Sequence, residues 1–185
     1  FGNNKEKMIL QDISFSSKPG EKICICGENG SGKSTLLRVL TGAFQPYQGT
    51  ITFDNIPLNN YDLNSLRSQT GVLFGVQDIF EGTLMENITM GDQEIPLERI
   101  MELAGKIGLL EFFESEKEGL NLRLHPMGKK LSRKITHRIL LLRALVHQPR
   151  LLLLEDPWLG LEHAEAEKIK HFLLHEMKQA TMIIS

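Results

Sequence analysis

The sequence predicts an α/β fold, a three-layer core with a mostly parallel sheet, and three observations predict it. An apolar run, Glu21-Lys22-Ile23-Cys24-Ile25-Cys26, leads straight into a glycine-rich loop and then into a helical stretch, Thr35 to Thr41, that ends near Gly42. Strand, glycine loop and helix in that order form the opening of a βαβ unit. Leu151 to Leu154 is a strand apolar on both faces, as the interior of a parallel sheet requires, and Thr181 to Ile184 starts another.

The elements follow in order. Met8 to Phe15 is expected to be a strand, with Ile9, Ile13 and Phe15 on a similar period, and Pro19-Gly20 a turn. After strand 21–26 and helix 33–41, Gly49-Thr50-Ile51-Thr52-Phe53 reads as a strand closed by Asp54-Asn55, giving an antiparallel β part on the N-terminal side. Asp62 to Arg67 suggests a short helix capped by Asp62, and Gly71 to Phe74 a short strand. From residue 75 to about 130 the pattern turns helical, over Thr83 to Ile88, from Pro96 onward and over Leu109 to Phe113, an inserted helical subdomain. Leu131, Ile135, Ile139, Leu142 and Val146 share one helical face, which Pro149 ends. Leu161 to Met177 is amphipathic. The expected organisation is a single domain, 1–185, incomplete at its C-terminal end, with 1–74 and 147–185 as the αβ core and 75–146 as the mainly helical part.

A hydrophobic fraction of 41% and a charged fraction of 24% suit a globular chain with one good core, and a net charge of −2 implies no face for a polyanion such as nucleic acid. No apolar run is as long as a membrane span, so a membrane role has to come through another segment or polypeptide. Cys24 and Cys26 share a strand face. They are expected to be two small buried thiols; a C-x-C metal site would need further ligands, and no second cysteine pair exists. Cysteine usage fits a cytosolic chain.

Gly27-Glu28-Asn29-Gly30-Ser31-Gly32-Lys33-Ser34 fits G-x-x-x-x-G-K-[ST], the P-loop, here in the strand–loop–helix setting the motif requires. The expected fold is thus a P-loop NTPase core. A helix start leaves amides unpaired and partly positive, and glycines let backbone approach an anion closely. The amides of Gly30, Gly32, Lys33 and Ser34 are expected to face phosphate oxygens, with the Lys33 ammonium on the β- and γ-phosphates. The Ser34 hydroxyl is expected to ligate Mg²⁺, and Thr35 to bond the α-phosphate. The second chemical signal is the pair Glu155-Asp156, ending the leucine strand where a parallel sheet opens its ligand crevice. One acid can hold the metal and its neighbour can orient the attacking water.

With loop and acids in place, the whole chain resembles the ATP-binding domain of ABC transporters, exporters in particular. Phe80-Glu81-Gly82-Thr83-Leu84-Met85-Glu86-Asn87-Ile88 is similar to the exporter stretch F-x-G-T-x-x-E-N-I. Leu131-Ser132 opens the place of the LSGGQ signature, and from there Arg138, Leu142-Arg143-Ala144, Pro149 and Leu151 to Asp156 keep register without a gap. Gly128 stands where the family has a glycine just before the signature, and Phe1 is placed like the aromatic that stacks on adenine, or else is a frayed terminus. The resemblance implies a head-to-tail dimer of two ATP-binding domains, each ATP lying between one P-loop and the other subunit's signature. It also implies a transmembrane domain as partner, fused or separate, and a place on the cytoplasmic face of the membrane.

The chain departs from the family where the chemistry is done. The signature reads Leu131-Ser132-Arg133-Lys134-Ile135, without its glycines and glutamine. At this trans-dimer position Ser132, Arg133 and Lys134 either touch phosphate through side chains or, as sterics favour, lose the contact to solvent. Gly75 stands where a glutamine that touches Mg²⁺ is expected; Gln77 either replaces it through a loop shift or is a solvated loop residue. The acids are inverted, Glu155 then Asp156, so the second carboxylate is withdrawn by about one C–C bond, a shift that can cost on the order of 10²-fold in rate. Leu159-Gly160-Leu161-Glu162 replaces S-A-L-D, and His163, His171 and His175 read as surface residues. Three functions follow: an ABC-type ATPase driving transport, with hydrolysis reduced or partner-dependent; a catalytically weak, nucleotide-gated dimerisation module paired with a more intact subunit; and an ABC ATPase of DNA repair or translation. The charge balance and residues 80–88 argue against the third, and the first is preferred.

Overall fold

The computed structural model describes residues 9–44 and 48–185. Its centre is a four-stranded, wholly parallel sheet of β1 (Lys22–Cys24), β8 (Thr181–Ile184), β7 (Leu151–Leu154) and β4 (Thr70–Leu73), in that order across the sheet. Strand alternation builds the layers. Leu153 and Ile183 point to one face, where α1 (Lys33–Leu40) covers them with Leu37 and Leu40. Leu152, Leu154, Met182 and Ile184 point to the other, into a larger core with Ile139, Leu142 and Leu145 of α6 (Arg133–Val146). Helix, sheet and helix form the three expected layers.

Gly71 fixes how close α6 comes. A Cβ on Gly71 would stand 2.0 Å from the Ala144 carbonyl oxygen, so strand and helix meet backbone to backbone. The inserted helices are α3 (Leu84–Thr89), α4 (Leu97–Ile107) and α5 (Leu110–Ser115), of which α3 and α4 lie against α6. Ile100, Leu103, Ala104 and Ile107 form the buried stripe of α4. Thr83 caps α3 through a reciprocal capping box with Glu86. Asp62 caps α2 (Leu63–Ser68) by accepting from the Ser65 amide, as its sequence predicts. The antiparallel part near the N-terminal end is the short pair β2 (Thr52–Phe53) and β3 (Ile56–Pro57). A second antiparallel pair, β5 (Gly82–Thr83) with β6 (Arg123–Leu124), closes the inserted region. After α7 (His163–His171) the helix widens into one π turn, Phe172–Glu176.

Two expectations are corrected. Residues 9–15 form no strand, and Ile9, Ile13 and Phe15 are exposed; residues 1–8 lie outside the described residues. Alternation gave that segment a face, but a strand also needs a partner to bond. Cys24 and Cys26 are exposed rather than buried, with their sulfurs 3.7 Å apart. It is Ile23 of β1 and Ile25 just past its end that turn toward α1, which leaves both thiols on the opposite face at the sheet's edge. The hydrogen bond between the two sulfurs, with burial a smaller cause, raises the Cys24 thiol above its ordinary pKa.

Candidate functional site

The loop after β1 is shaped by Gly32, which is left-handed at φ 95° and caps α1 with no side-chain hydrogen bond. The backbone angle favours glycine, and a Cβ there would also come within 2.8 Å of Leu10 Cδ2, which would have to give way. The first amides of α1 therefore keep the unpaired donors and partial positive charge of a bare helix start. Lys33 Nζ donates to Gly27 O at 2.8 Å and Glu28 O at 2.9 Å, which holds its ammonium at the entry of the loop. The Ser31 amide closes a turn onto Glu28 O, leaving Asn29, Gly30 and Ser31 exposed at the crest. Thr35 is half-buried in the first turn of α1. Phe1 lies outside the described residues.

The P-loop helix and the acidic strand end meet at one contact. Ser34 Oγ donates to Glu155 Oε1 at 2.6 Å across 121 residues of sequence. Glu155 is fixed from the other side too, its amide donating to Leu73 O and its Oε2 accepting from the Gly75 amide at 3.2 Å. A hydroxyl and a carboxylate form a hard oxygen donor set. No cluster of three or more His, Cys, Asp or Glu side chains suited to a metal occurs among the described residues. The pair therefore fits a cation that completes its shell with water and phosphate oxygens, which is how Mg²⁺ is usually held.

Asp156 sits one residue beyond, left-handed at φ 44°. Its amide donates to Ser185 O at 2.8 Å and its carbonyl accepts from the Leu159 amide, so the acid stands at the carboxyl ends of β7 and β8. His137 of α6 lies behind it. Burial pushes its pKa below the ordinary 6.5, against the pull of the Pro157 backbone and the Asp156 carboxylate. Gln77 is engaged within its own loop: its Oε1, the carboxamide oxygen expected to face a metal, accepts from the Phe74 amide at 2.9 Å. A side chain at position 75 would instead have projected toward Glu155, since a Cβ there lies 3.8 Å from Glu155 Oε1.

At the altered signature, Ser132 caps α6 by accepting from the Ile135 amide at 3.2 Å. Arg133 is exposed. Lys134 is turned onto its own chain, its Nζ donating to Glu165 Oε1 of α7 at 2.6 Å with the side chain part-buried. Arg138, buried in the same helix, reaches the same oxygen at 2.9 Å and also donates to Gly108 O. The Lys134 hydrogen bond first, then Arg138 and the Glu162 backbone, hold the Glu165 carboxyl at about 2.

Sequence reasoning passed over Glu165, although its place three residues after Glu162 is a capping-box spacing. It also passed over the roles of Asn87 and Arg143. Asn87 is fully buried with both polar ends engaged: Oδ1 accepts from the Phe80 amide and Arg143 Nη2, and Nδ2 donates to Phe80 O and Thr83 O. Arg143 also donates to Asn87 O and Asp78 O and lies over the Phe80 ring.

A sequence model of the ABC transporter family matches residues 10–159. A probable ABC transporter ATP-binding/permease protein of Haemophilus influenzae is 34% identical over 179 residues, 97% of this chain and 32% of that protein. The ATP-dependent lipid A-core flippase of Coxiella burnetii is 32% identical over 183 residues, 98% of this chain and 31% of that protein. A solved bacterial Atm1-family ABC exporter with ATP bound superposes with a TM-score of 0.89 at 25% identity, over 100% of this chain and 32% of the exporter. The chain thus spans about a third of the length of the relatives it matches.

Proposed function

The chain belongs to the ABC transporter family as one of its ATP-binding domains, and from that premise we propose that it binds Mg-ATP on the loop 27–35 and couples binding and hydrolysis to transport by a transmembrane domain. The observation that carries this reading is the 2.6 Å contact between Ser34 and Glu155, which brings the anion-binding helix start and the acidic strand end to one point. Gly30, Gly32 and Ser34 offer amides to phosphate oxygens, and Lys33 swings its ammonium from the loop carbonyls to the β- and γ-phosphates. Ser34 and Glu155 would hold Mg²⁺, which when bound would supply neutralisation of charge on the phosphate oxygens. Asp156 orients water and accepts its proton at the carboxylate, at a distance lengthened by its missing methylene. Gln77 keeps its loop in shape rather than reaching metal.

In this reading two such domains pair head to tail, the chain lies at the cytoplasmic face of a membrane, and residues 1–74 and 147–185 serve as the αβ core with 75–146 as the mainly helical subdomain. A second reading, a nucleotide-gated module with slow turnover beside a more intact subunit, is favoured by one observation: Lys134 is engaged within its own chain. The test is ATP affinity and phosphate release of the full-length protein, parent against Lys33→Ala. Loss of at least tenfold in affinity is expected from removing one charge-assisted phosphate contact, about 1.5–3 kcal/mol. Equal affinity would count against the phosphate role. Tight binding with negligible release in the parent would select the second reading.

A further inference from the structure

Glu165 is the only carboxylate among the described residues that two basic side chains of the signature helix share. Lys134 Nζ and Arg138 Nη2 converge on its Oε1 at 2.6 and 2.9 Å, and its Oε2 accepts from the Glu162 amide at 3.3 Å. The three bonds join the first two turns of α6 to the first turn of α7 and to the loop that follows Asp156. The second glycine place of the signature holds a lysine, and that lysine finds its counter-ion within the chain, 31 residues on. A flexible four-carbon ammonium with no such partner would occupy whatever lies before the helix start.

We propose that Glu165 is a positioning residue that folds Lys134 back onto α7, clearing the signature face so that a second ATP-binding domain can close on it despite the loss of glycine. The proposal rests on the head-to-tail reading above for its consequence, but the clasp itself does not. Arg138 anchors the carboxylate, being buried and tied to Gly108 O, and Lys134 is the mobile arm. Glu162, held by the same carboxylate, brings the loop 159–162 into the same unit.

Two measurements on the full-length protein test this. In competitive amine acylation read by mass spectrometry without nucleotide, Lys134 in Glu165→Gln is expected to label several-fold faster than in the parent, with Lys129 unchanged as internal standard. Glu165→Asp is expected to restore part of the protection. In ATP-driven pairing read by cross-linking, Glu165→Gln is expected to weaken association about three- to tenfold, the scale of one lost ion-pair constraint. Adding Lys134→Ala to it is expected to return pairing to the parent level, because the obstructing arm is gone. Equal Lys134 labelling in parent and Glu165→Gln overturns the clasp. Faster labelling with unchanged pairing, or weak pairing that Lys134→Ala does not rescue, overturns its role. If the parent itself does not pair with ATP, the head-to-tail reading fails and the role assigned to Glu165 falls with it, while labelling still decides the clasp.

Discussion

Glu155 is gripped from two sides, by Ser34 Oγ and by the Gly75 amide, while Asp156 beyond it is tied through its backbone to Ser185 and Leu159. Under the proposed function that difference separates the carboxylate assigned to metal from the one assigned to water, which has to reach across an extra bond length. Asp156→Glu restores the reach, and phosphate release is expected to rise, by up to about 10²-fold if distance alone limits the step. Steady-state release at saturating ATP checks it; a drop would mean that the left-handed backbone at 156 aims the longer acid wrongly. His137, beside this acid, sets a pH dependence. Its folded pKa lies below the ordinary 6.5, so below that value the unfolded chain binds more protons than the native one. Its contribution is therefore present at neutral pH and is lost as pH falls through 6.5. Glu165, held near 2 against an ordinary 4.5, keeps its contribution until pH falls below about 4.5, so it adds no slope between pH 7 and 5. Melting curves at pH 7 and 5 are expected to converge for His137→Gln relative to the parent.

Among elements, the segment 78–88 is shaped less by its own propensities than by Asn87 and Arg143. Every polar atom of the buried Asn87 carboxamide is bonded, and Arg143 ties that carboxamide to α6. Removing it leaves buried donors and acceptors without partners, so Asn87→Ala is expected to cost about 2–4 kcal/mol, read from denaturant midpoints. The elements legible in the sequence are those whose signal is local: the leucine strand, the four-residue steps of α6, the glycine loop and the Asp62 cap. Segment 9–15 was misread because alternation reports a face and not a ladder. Strands β5 and β6 escaped because two residues cannot show a period. The site was legible where a motif fixes spacing, at 27–35 and 155–156. Glu165 was not, because nothing in the spacing of Lys134 and Glu165 says that two helix starts meet.

For the whole molecule, the proposed pairing with a second domain would meet what Arg133 and Lys134 add at the signature position. Replacing both by glycine is expected to raise ATP-dependent association in cross-linking of the full-length protein, since the exposed Arg133 side chain goes, Lys134 being already held back by Glu165, and the Ser132 cap stays. Unchanged association would place the obstacle elsewhere. How a push on that face is felt depends on the bare contact of Gly71 with Ala144. That contact lies near one end of α6 and Ser132 at the other, about 18 Å away at 1.5 Å per residue. With that contact so far back, a tilt of about 5° about it would carry the Ser132 tip by about 1.5 Å, so a small angle at the sheet corresponds to a displacement that a partner at the tip would feel.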